Sequence, residues 1–152
     1  MKDFSLLIKP VSSDCNLKCR YCYYTESGSR PAGKKGRKRR RMNDRILETV
    51  IRKYMETDQE IYSMVWHGGE PTLMPRSFFE KAVSFQKRYA SQGSRISNSL
   101  QTNAVHLPKN LASFLGKYRF LCGVSLDGPA EIHDIHRRTK TDGPTHRKVV
   151  DG

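Results

Sequence analysis

Three of the four cysteines in this chain lie within the eight residues from Cys15 to Cys22. Spacers of three and two residues separate them, and spacers this short let the backbone curl so that all three sulfurs face one metal centre. Iron-sulfur clusters are normally held by four cysteines, so three would leave one iron open to an outside ligand. A zinc site, which needs four ligands, and three free buried thiols are the alternative interpretations of the spacing alone.

The charge of the chain is concentrated in one segment. The formal net charge is +13 over 152 residues, and eight of the basic residues lie between Arg30 and Arg41, where there is no acidic residue. The wider stretch 25–42 also contains glycine, proline and serine, which predicts a flexible, solvated loop within a single domain. No aromatic residue interrupts the basic run to stack on bases, so nucleic acid is not expected as the partner.

The distribution of cysteines favours a reducing compartment. A disulfide scaffold would spread its cysteines to connect loops, whereas here three are clustered and Cys122 stands alone in an apolar run. The isolated Cys122 is predicted to be a core residue, because free cysteine behaves as a small hydrophobe. Only about five apolar residues precede Lys9, too few for a signal peptide or a membrane span. We therefore expect a cytoplasmic protein that does not enter a membrane.

Apolar periodicity predicts an alternation of strands and helices. Short apolar runs that end at proline, glycine or polar residues indicate strands, and the i, i+3, i+4 spacing indicates amphipathic helices. This order predicts an α/β fold with a parallel sheet, in which every loop that follows a strand reaches the same edge. The predicted strands are 4–9, 61–66, 95–101 and 119–126, and the predicted helices are 43–54, with Asn43 as N-cap, 77–89 and 107–118.

Each predicted strand is followed by a distinctive polar segment. His67-Gly68-Gly69-Glu70-Pro71 follows the second strand, Gln101-Thr102-Asn103 ends the third, and Ser125-Leu126-Asp127-Gly128-Pro129 ends the fourth, with Arg137 a few residues later. Together with the C-x3-C-x2-C spacing, these segments resemble the radical S-adenosylmethionine (SAM) superfamily. Within it, the chain is most similar to the anaerobic sulfatase-maturating enzymes of the SPASM type.

The resemblance implies a fold, two cofactors and a set of site residues. The fold would be the N-terminal part of a partial (βα)6 barrel, with about four parallel strands. The cofactors would be a [4Fe-4S] cluster and SAM bound to its open iron. The metal ligands would be Cys15, Cys19 and Cys22; the SAM contacts Tyr21, Gly68, Gly69, Glu70, Ser125 and Arg137; and the residues facing substrate His67, Gln101 and Asn103. For His67, a structural hydrogen bond is the competing role.

The resemblance also implies a reaction. A reduced cluster would cleave SAM to a 5′-deoxyadenosyl radical, which takes hydrogen from a peptidyl cysteine or serine of a sulfatase, the reaction that yields formylglycine. Such an enzyme would need a sulfatase polypeptide as substrate and an electron donor such as flavodoxin or ferredoxin. The alternative function is a basic, zinc-binding nucleic-acid-binding module that uses the three cysteines and a histidine.

Some features depart from the family pattern. Relatives are longer, so residues 1–152 would be an incomplete core domain without the auxiliary clusters, and the family's catalytic carboxylate base would lie beyond Gly152. We therefore expect an apolar sheet edge that promotes association, or a second polypeptide that completes the fold. Ala104 stands where the family often has glycine. His133 and His136, spaced like metal ligands, are expected to be solvated loop residues.

Overall fold

A computed structural model describes residues 3–26, 41–57 and 59–152 of the chain. Most of the predicted 25–42 loop lies outside these residues, although its first two positions belong to a short helix. The strands are β1 (Ser5–Ile8), β2 (Ile61–Trp66), β3 (Arg95–Thr102) and β4 (Leu121–Val124). The helices are α1 (Tyr23–Glu26), α2 (Asp44–Met55), α3 (Arg76–Tyr89), α4 (Lys109–Lys117), α5 (Ala130–His136) and α6 (His146–Asp151), with a 3-10 turn at Pro71–Leu73.

The four strands form one parallel sheet in the order β1-β2-β3-β4. Strands that are neighbours in sequence are thus neighbours in space, and helices make the crossovers between them, as the alternating pattern predicted. α2 begins where the sequence indicated, because the Asn43 side chain accepts a hydrogen bond from the Ile46 backbone N–H. The carboxyl ends of all four strands therefore reach one edge of the sheet.

The core lies between the sheet and helices α2, α3 and α4. Trp66 at the end of β2 is fully buried, packs edge-on against Phe78 and Phe79, and donates its indole N–H to Asn98 Oδ1 at 2.9 Å. The opposite face of the sheet carries more polar side chains, among them Ser63 and the serines and Gln101 of β3. This division follows from the two-residue alternation of side chains along each strand.

One burial prediction was wrong at the margin of the sheet: Cys122 is exposed rather than buried in the core. Leu7 in β1 is also half exposed. Both residues lie on edge strands, which have a neighbouring strand on one side only and so lose half of the contacts that bury a central strand. Leu121 and Val124 in β4 are exposed as well. In α2, Ile46 lies at the margin of the apolar stripe and is half exposed.

Among the described residues, no helix combines the length and the apolar character that a membrane crossing requires.

Candidate functional site

A cavity of about 350 Å³ opens at the carboxyl edge of the sheet. The cysteine loop, the Gly-Gly turn after β2 and the ends of β3 and β4 all contribute to its walls. Every residue that the sequence singled out for metal, cofactor or substrate lies on this cavity, and Leu17, Tyr23 and Thr102 complete it. The lining residues from the prediction are Cys15, Cys19, Tyr21, Cys22, His67, Gly68, Gly69, Glu70, Gln101, Asn103, Ser125 and Arg137.

The cysteine loop is fixed by partners that are distant in sequence. The Lys18 backbone N–H donates to the Arg138 carbonyl at 2.8 Å, and the Arg20 N–H donates to the His136 carbonyl at 2.9 Å. Leu17 is buried and forms an antiparallel bridge with Thr139. The loop is therefore attached both to the sheet and to the segment that follows α5.

The three cavity cysteines form no disulfide and are partly buried. Burial raises the pKa of Cys15 and of Cys19, and the nearby guanidinium of Arg137 opposes the shift at Cys19. The Leu17 backbone N–H donates to Cys15 Sγ at 3.4 Å. Within the described parts of the chain, no three His, Cys, Asp or Glu side chains are already gathered at the spacing of a single-ion site.

The two glycines after β2 allow the strand end to pack directly on the cysteine loop. Gly68 has a φ of +114°, which favours glycine, and a Cβ there would lie 2.8 Å from the Ser12 carbonyl oxygen. A Cβ at Gly69 would collide with the Asp14 carbonyl. The Gly69 N–H donates to the Ser12 carbonyl at 2.9 Å. The two glycines therefore let the backbone of this turn lie directly against the loop that carries the cysteines.

Glu70 joins the turn to the end of β3 and is only 1% exposed. Its Oε1 accepts bonds from the Thr72 N–H at 3.0 Å, the Thr72 hydroxyl at 2.7 Å and the Thr102 hydroxyl at 2.8 Å. Its Oε2 accepts the Asn103 N–H at 2.7 Å. A buried carboxylate needs such donors to offset its loss of hydration, and these four come from two separate strand ends.

Asn103 links β3 to the cysteine loop. Its side-chain amide donates to Asn16 Oδ1 at 2.8 Å and lies 3.7 Å from Cys15 Sγ. The next residue, Ala104, has a φ of +52° and is buried, a backbone conformation that favours glycine. This conformation gives a physical reason for the glycine that the family often has here.

Asp127, which follows β4, binds two of the polar side chains that line the cavity. Arg137 Nε donates to Asp127 Oδ1 at 2.9 Å, the Tyr21 hydroxyl donates to Asp127 Oδ2, and the guanidinium lies over the Tyr21 ring at 5.4 Å. Burial and the hydrogen bond to Asp127 raise the pKa of Tyr21 well above its usual value. For Asp127, burial alone would raise the pKa, but the bonds from Tyr21 and Arg137 outweigh it and hold the pKa below its usual range.

The remaining predicted residues contact one another or their own backbone. Gln101 donates its amide N–H to the Ser125 hydroxyl at 3.0 Å, which connects the ends of β3 and β4. The Gly68 N–H donates to His67 Nδ1 at 2.6 Å, so His67 both lines the cavity and makes a local structural bond. Both roles considered for His67 therefore stay open.

Sequence reasoning missed three residues that organise the site. The sequence pattern assigns no role to Asn16, which lies between Cys15 and Cys19, or to Asp127, which lies in the segment after β4. His133 was expected to be solvated, which is wrong: it is fully buried. The signal available for His133 was its position four residues after Pro129, the N-cap of α5, which places it one turn inside that helix.

Comparison with known proteins agrees with this geometry. The cysteine-type anaerobic sulfatase-maturating enzyme of Clostridium perfringens is 40% identical over 150 residues, which are 98% of this chain and 40% of that enzyme. The serine-type enzyme of Bacteroides thetaiotaomicron is 38% identical over 99% of this chain and 36% of its own length. This chain thus spans about two fifths of the length of these relatives.

A solved structure described as native anSMEcpe with bound AdoMet and Cp18Cys peptide superposes with a TM-score of 0.85 and 38% identity. The superposition covers 97% of this chain and 38% of that one. Residues 10–152, nearly the whole sequence, match the radical SAM superfamily. The parallel strands, the cysteine loop at their carboxyl edge and these matches together establish that the chain belongs to the radical SAM superfamily.

Proposed function

We propose that this chain forms the cofactor-binding part of a radical SAM enzyme that oxidises a peptidyl cysteine or serine in a sulfatase polypeptide. The observation that carries the proposal is the single cavity that all twelve predicted site residues line. Its three thiols and Tyr21 belong to one loop, its other polar residues lie at the ends of β2, β3 and β4, and Arg137 follows α5. Sequence identity of 40% and 38% to two sulfatase-maturating enzymes over nearly the whole chain supports the substrate class.

Cys15, Cys19 and Cys22 would hold a [4Fe-4S] cluster in this cavity. The donor set fits, because three sulfurs of one loop face the cavity and no fourth cysteine does. Burial raises the pKa of Cys15 and of Cys19, which favours the thiol form, and thiolate binding to metal would release protons. When bound there, the two cofactors would supply the one-electron chemistry for hydrogen abstraction from substrate.

The other walls would bind and orient SAM and substrate. Arg137 carries a positive charge fixed by Asp127, which suits a carboxylate ligand. Tyr21, Gly68, Gly69, Glu70 and Ser125 would complete the SAM contacts, with Glu70 acting through the backbone that it holds rather than through a free carboxylate oxygen. His67, Gln101 and Asn103 would face the substrate side. Leu17 and Tyr23 add apolar surface that limits the access of water to the cavity.

The partners follow from the same proposal. The peptide substrate would be a segment of a sulfatase, and a small electron carrier such as flavodoxin or ferredoxin would reduce the cluster. We also propose a reducing, cytoplasmic setting, since three of the four cysteines are clustered rather than spread as in a disulfide scaffold.

The test is anaerobic reconstitution with iron and sulfide, followed by reduction in the presence of SAM and an assay for 5′-deoxyadenosine. The wild-type chain should bind about four irons and release 5′-deoxyadenosine. Cys19→Ala should lose the cluster, whereas Cys122→Ala, which changes an exposed thiol on β4, should retain it. Equal iron content in the two variants would contradict the cluster assignment.

The zinc-binding, nucleic-acid-binding module is the contrasting outcome of the same experiment. It would appear as colourless protein with one zinc per chain and RNA binding that weakens steeply with added salt.

A further inference from the structure

The buried ring of His133 lies between the two ends of a hydrogen-bonded chain that leads to the cavity wall. His133 belongs to α5 and has no exposed surface. Its Nδ1 lies 3.3 Å from the Asp127 backbone nitrogen, and its Nε2 lies 3.0 Å from the Thr145 hydroxyl oxygen. The Thr145 hydroxyl in turn lies 2.6 Å from the Arg137 carbonyl oxygen. Both nitrogens of the ring are therefore engaged.

The direction of each hydrogen bond is determined by the chemistry of the two ends. A backbone N–H can only donate, so His133 Nδ1 must accept from Asp127. A carbonyl oxygen can only accept, so the Thr145 hydroxyl must donate to Arg137 and must itself accept from His133. Both ends independently require the same neutral ring, with its hydrogen on Nε2. We call this chain of groups the His133 relay: the Asp127 N–H, the His133 ring, the Thr145 hydroxyl and the Arg137 carbonyl.

The relay ends on the two residues that form the ion pair at the cavity. Arg137 Nε donates to Asp127 Oδ1 at 2.9 Å, with 17% and 24% of the two side chains exposed. The side chains thus meet beside the cavity, which Arg137 lines, while their backbones are joined through His133 and Thr145. We propose that His133 and Thr145 are positioning residues that fix the Asp127–Arg137 pair, and with it the guanidinium that faces the cavity.

The charged surroundings of the ring are consistent with this role. Asp127, Asp134, Arg137 and His146 face it, and burial together with Arg137 and His146 outweighs the two carboxylates and lowers the pKa of His133. Asp134 accepts the backbone N–H groups of Thr145 and His146 at 2.7 and 2.8 Å, which fixes Thr145 at the start of α6. A second proton on the ring would sit on Nδ1 and break the bond from the Asp127 N–H.

The first test requires no cofactor. Nitrogen-detected NMR of the full chain labelled with 15N-histidine should show His133 as the neutral Nε2–H tautomer at pH about 7.5. Exchange of the Arg137 Nε–H with solvent should be about tenfold faster in Thr145→Val, which removes the hydroxyl, and close to wild type in Thr145→Ser, which keeps it. An Nδ1–H tautomer, or equal exchange rates in the two variants, would overturn the proposal.

A second test rests on the proposed function and uses the reconstituted protein. Thr145→Val should weaken SAM binding about tenfold, which corresponds to about 1.4 kcal/mol, and Thr145→Ser should restore it. The control is Val149→Ala, which removes buried contacts of the same helix without touching the relay. If Val149→Ala weakens SAM binding as much as Thr145→Val does, general loosening of α6 explains the effect and the relay is refuted. Failure of the wild type to bind SAM would count against the proposed function, while the cofactor-free test would still decide the relay.

Discussion

Glu70 and Asp127 are two carboxylates near the cavity, and their surroundings are opposite. Glu70, after β2, is 1% exposed, and its two oxygens accept four hydrogen bonds from backbone and hydroxyl groups. Asp127, after β4, has a partly exposed side chain and binds one guanidinium and one phenol, both of which also face the cavity.

The difference separates a carboxylate that ties the fold together from one that holds two side chains lining the cavity. All the donors of Glu70 are neutral groups fixed in the backbone or on short side chains, so this carboxylate ties two strand ends together. The partners of Asp127 are long side chains with surface in the cavity, and they can exchange some of their contacts for a ligand. Substitution of Glu70 should therefore lower stability most, whereas substitution of Asp127 should affect binding most.

The largest expected effect is that of Glu70→Gln. The new amide nitrogen cannot accept a hydrogen bond, so at least one buried donor among Thr72, Thr102 and Asn103 loses its partner. We expect the free energy of unfolding to fall by about 2–3 kcal/mol, measured by urea denaturation. Glu80→Gln is the matched control, since it weakens an exposed helical pair with Arg76 and should cost less than about 0.5 kcal/mol. A similar fall in the free energy of unfolding in both variants would show that Glu70 has no special structural role.

The next effect is that of Asp127→Asn, which keeps the shape of the side chain and removes its charge. Because the pair with Arg137 is partly solvated, we expect the free energy of unfolding to fall by no more than about 1 kcal/mol. SAM affinity of the reconstituted protein, measured by equilibrium dialysis, should fall about tenfold, because the guanidinium loses its fixed orientation. A large loss of stability with unchanged affinity would show that Asp127 is a structural carboxylate like Glu70.

Acidification should lower the free energy of unfolding in two stages, first through His133 and then through Asp127 and Asp134. The pKa of His133 is lowered in the folded protein from its usual 6.5, so the unfolded chain takes up the proton first. Stability should therefore fall as the pH drops below 6.5, until the folded ring is also protonated. The lowered pKa values of Asp127 and Asp134, from a usual 3.8, add a second loss below that pH.

Urea midpoints measured between pH about 7.5 and about 5.5 would test the first stage. His133→Asn should flatten the profile, whereas His106→Asn, which changes an exposed histidine, should leave the slope unchanged. A profile that stays steep in His133→Asn would assign the titration to another group.

The smallest effect on stability should come from Gly123→Ala in β4. A methyl group there would overlap Gln101 Oε1, but this atom is the end of a flexible side chain that can move aside. We expect the free energy of unfolding to change by less than about 0.5 kcal/mol, because alanine suits a strand better than glycine. The Gln101 side-chain amide signals in an NMR spectrum should shift as the bond to Ser125 breaks. Unshifted signals would show that Gln101 is held more firmly than its contacts imply.

Much of the fold follows from local sequence pattern. Alternating strand and helix signals predicted four parallel strands. For three of the four strands, both predicted ends lie within one residue of the observed ends. The exception, β4, is four residues long rather than eight. Among the described residues it pairs with β3 alone, so fewer inter-strand hydrogen bonds fix where the strand begins and ends. The exposure of Cys122 has the same origin.

The composition of the site could be predicted, but its internal bonding could not. Motifs that follow successive strands must meet at one edge, so the residues of the cavity could be named from the sequence. The pairing of Tyr21 with Asp127, 106 residues apart, depends on how two loops meet in space and has no local pattern. The burial of His133 likewise depends on α6 packing over α5.

The contact between Gly69 and the Asp14 carbonyl has a practical consequence for protein engineering. Since no side chain fits between them, the C-x3-C-x2-C segment cannot be transplanted into another scaffold by itself. A graft that carries only the cysteines would place the loop against a side chain and move its thiols away from the sheet. The transferable module is the loop together with the Gly-Gly turn of the adjacent strand, and a designer who copies one should copy both.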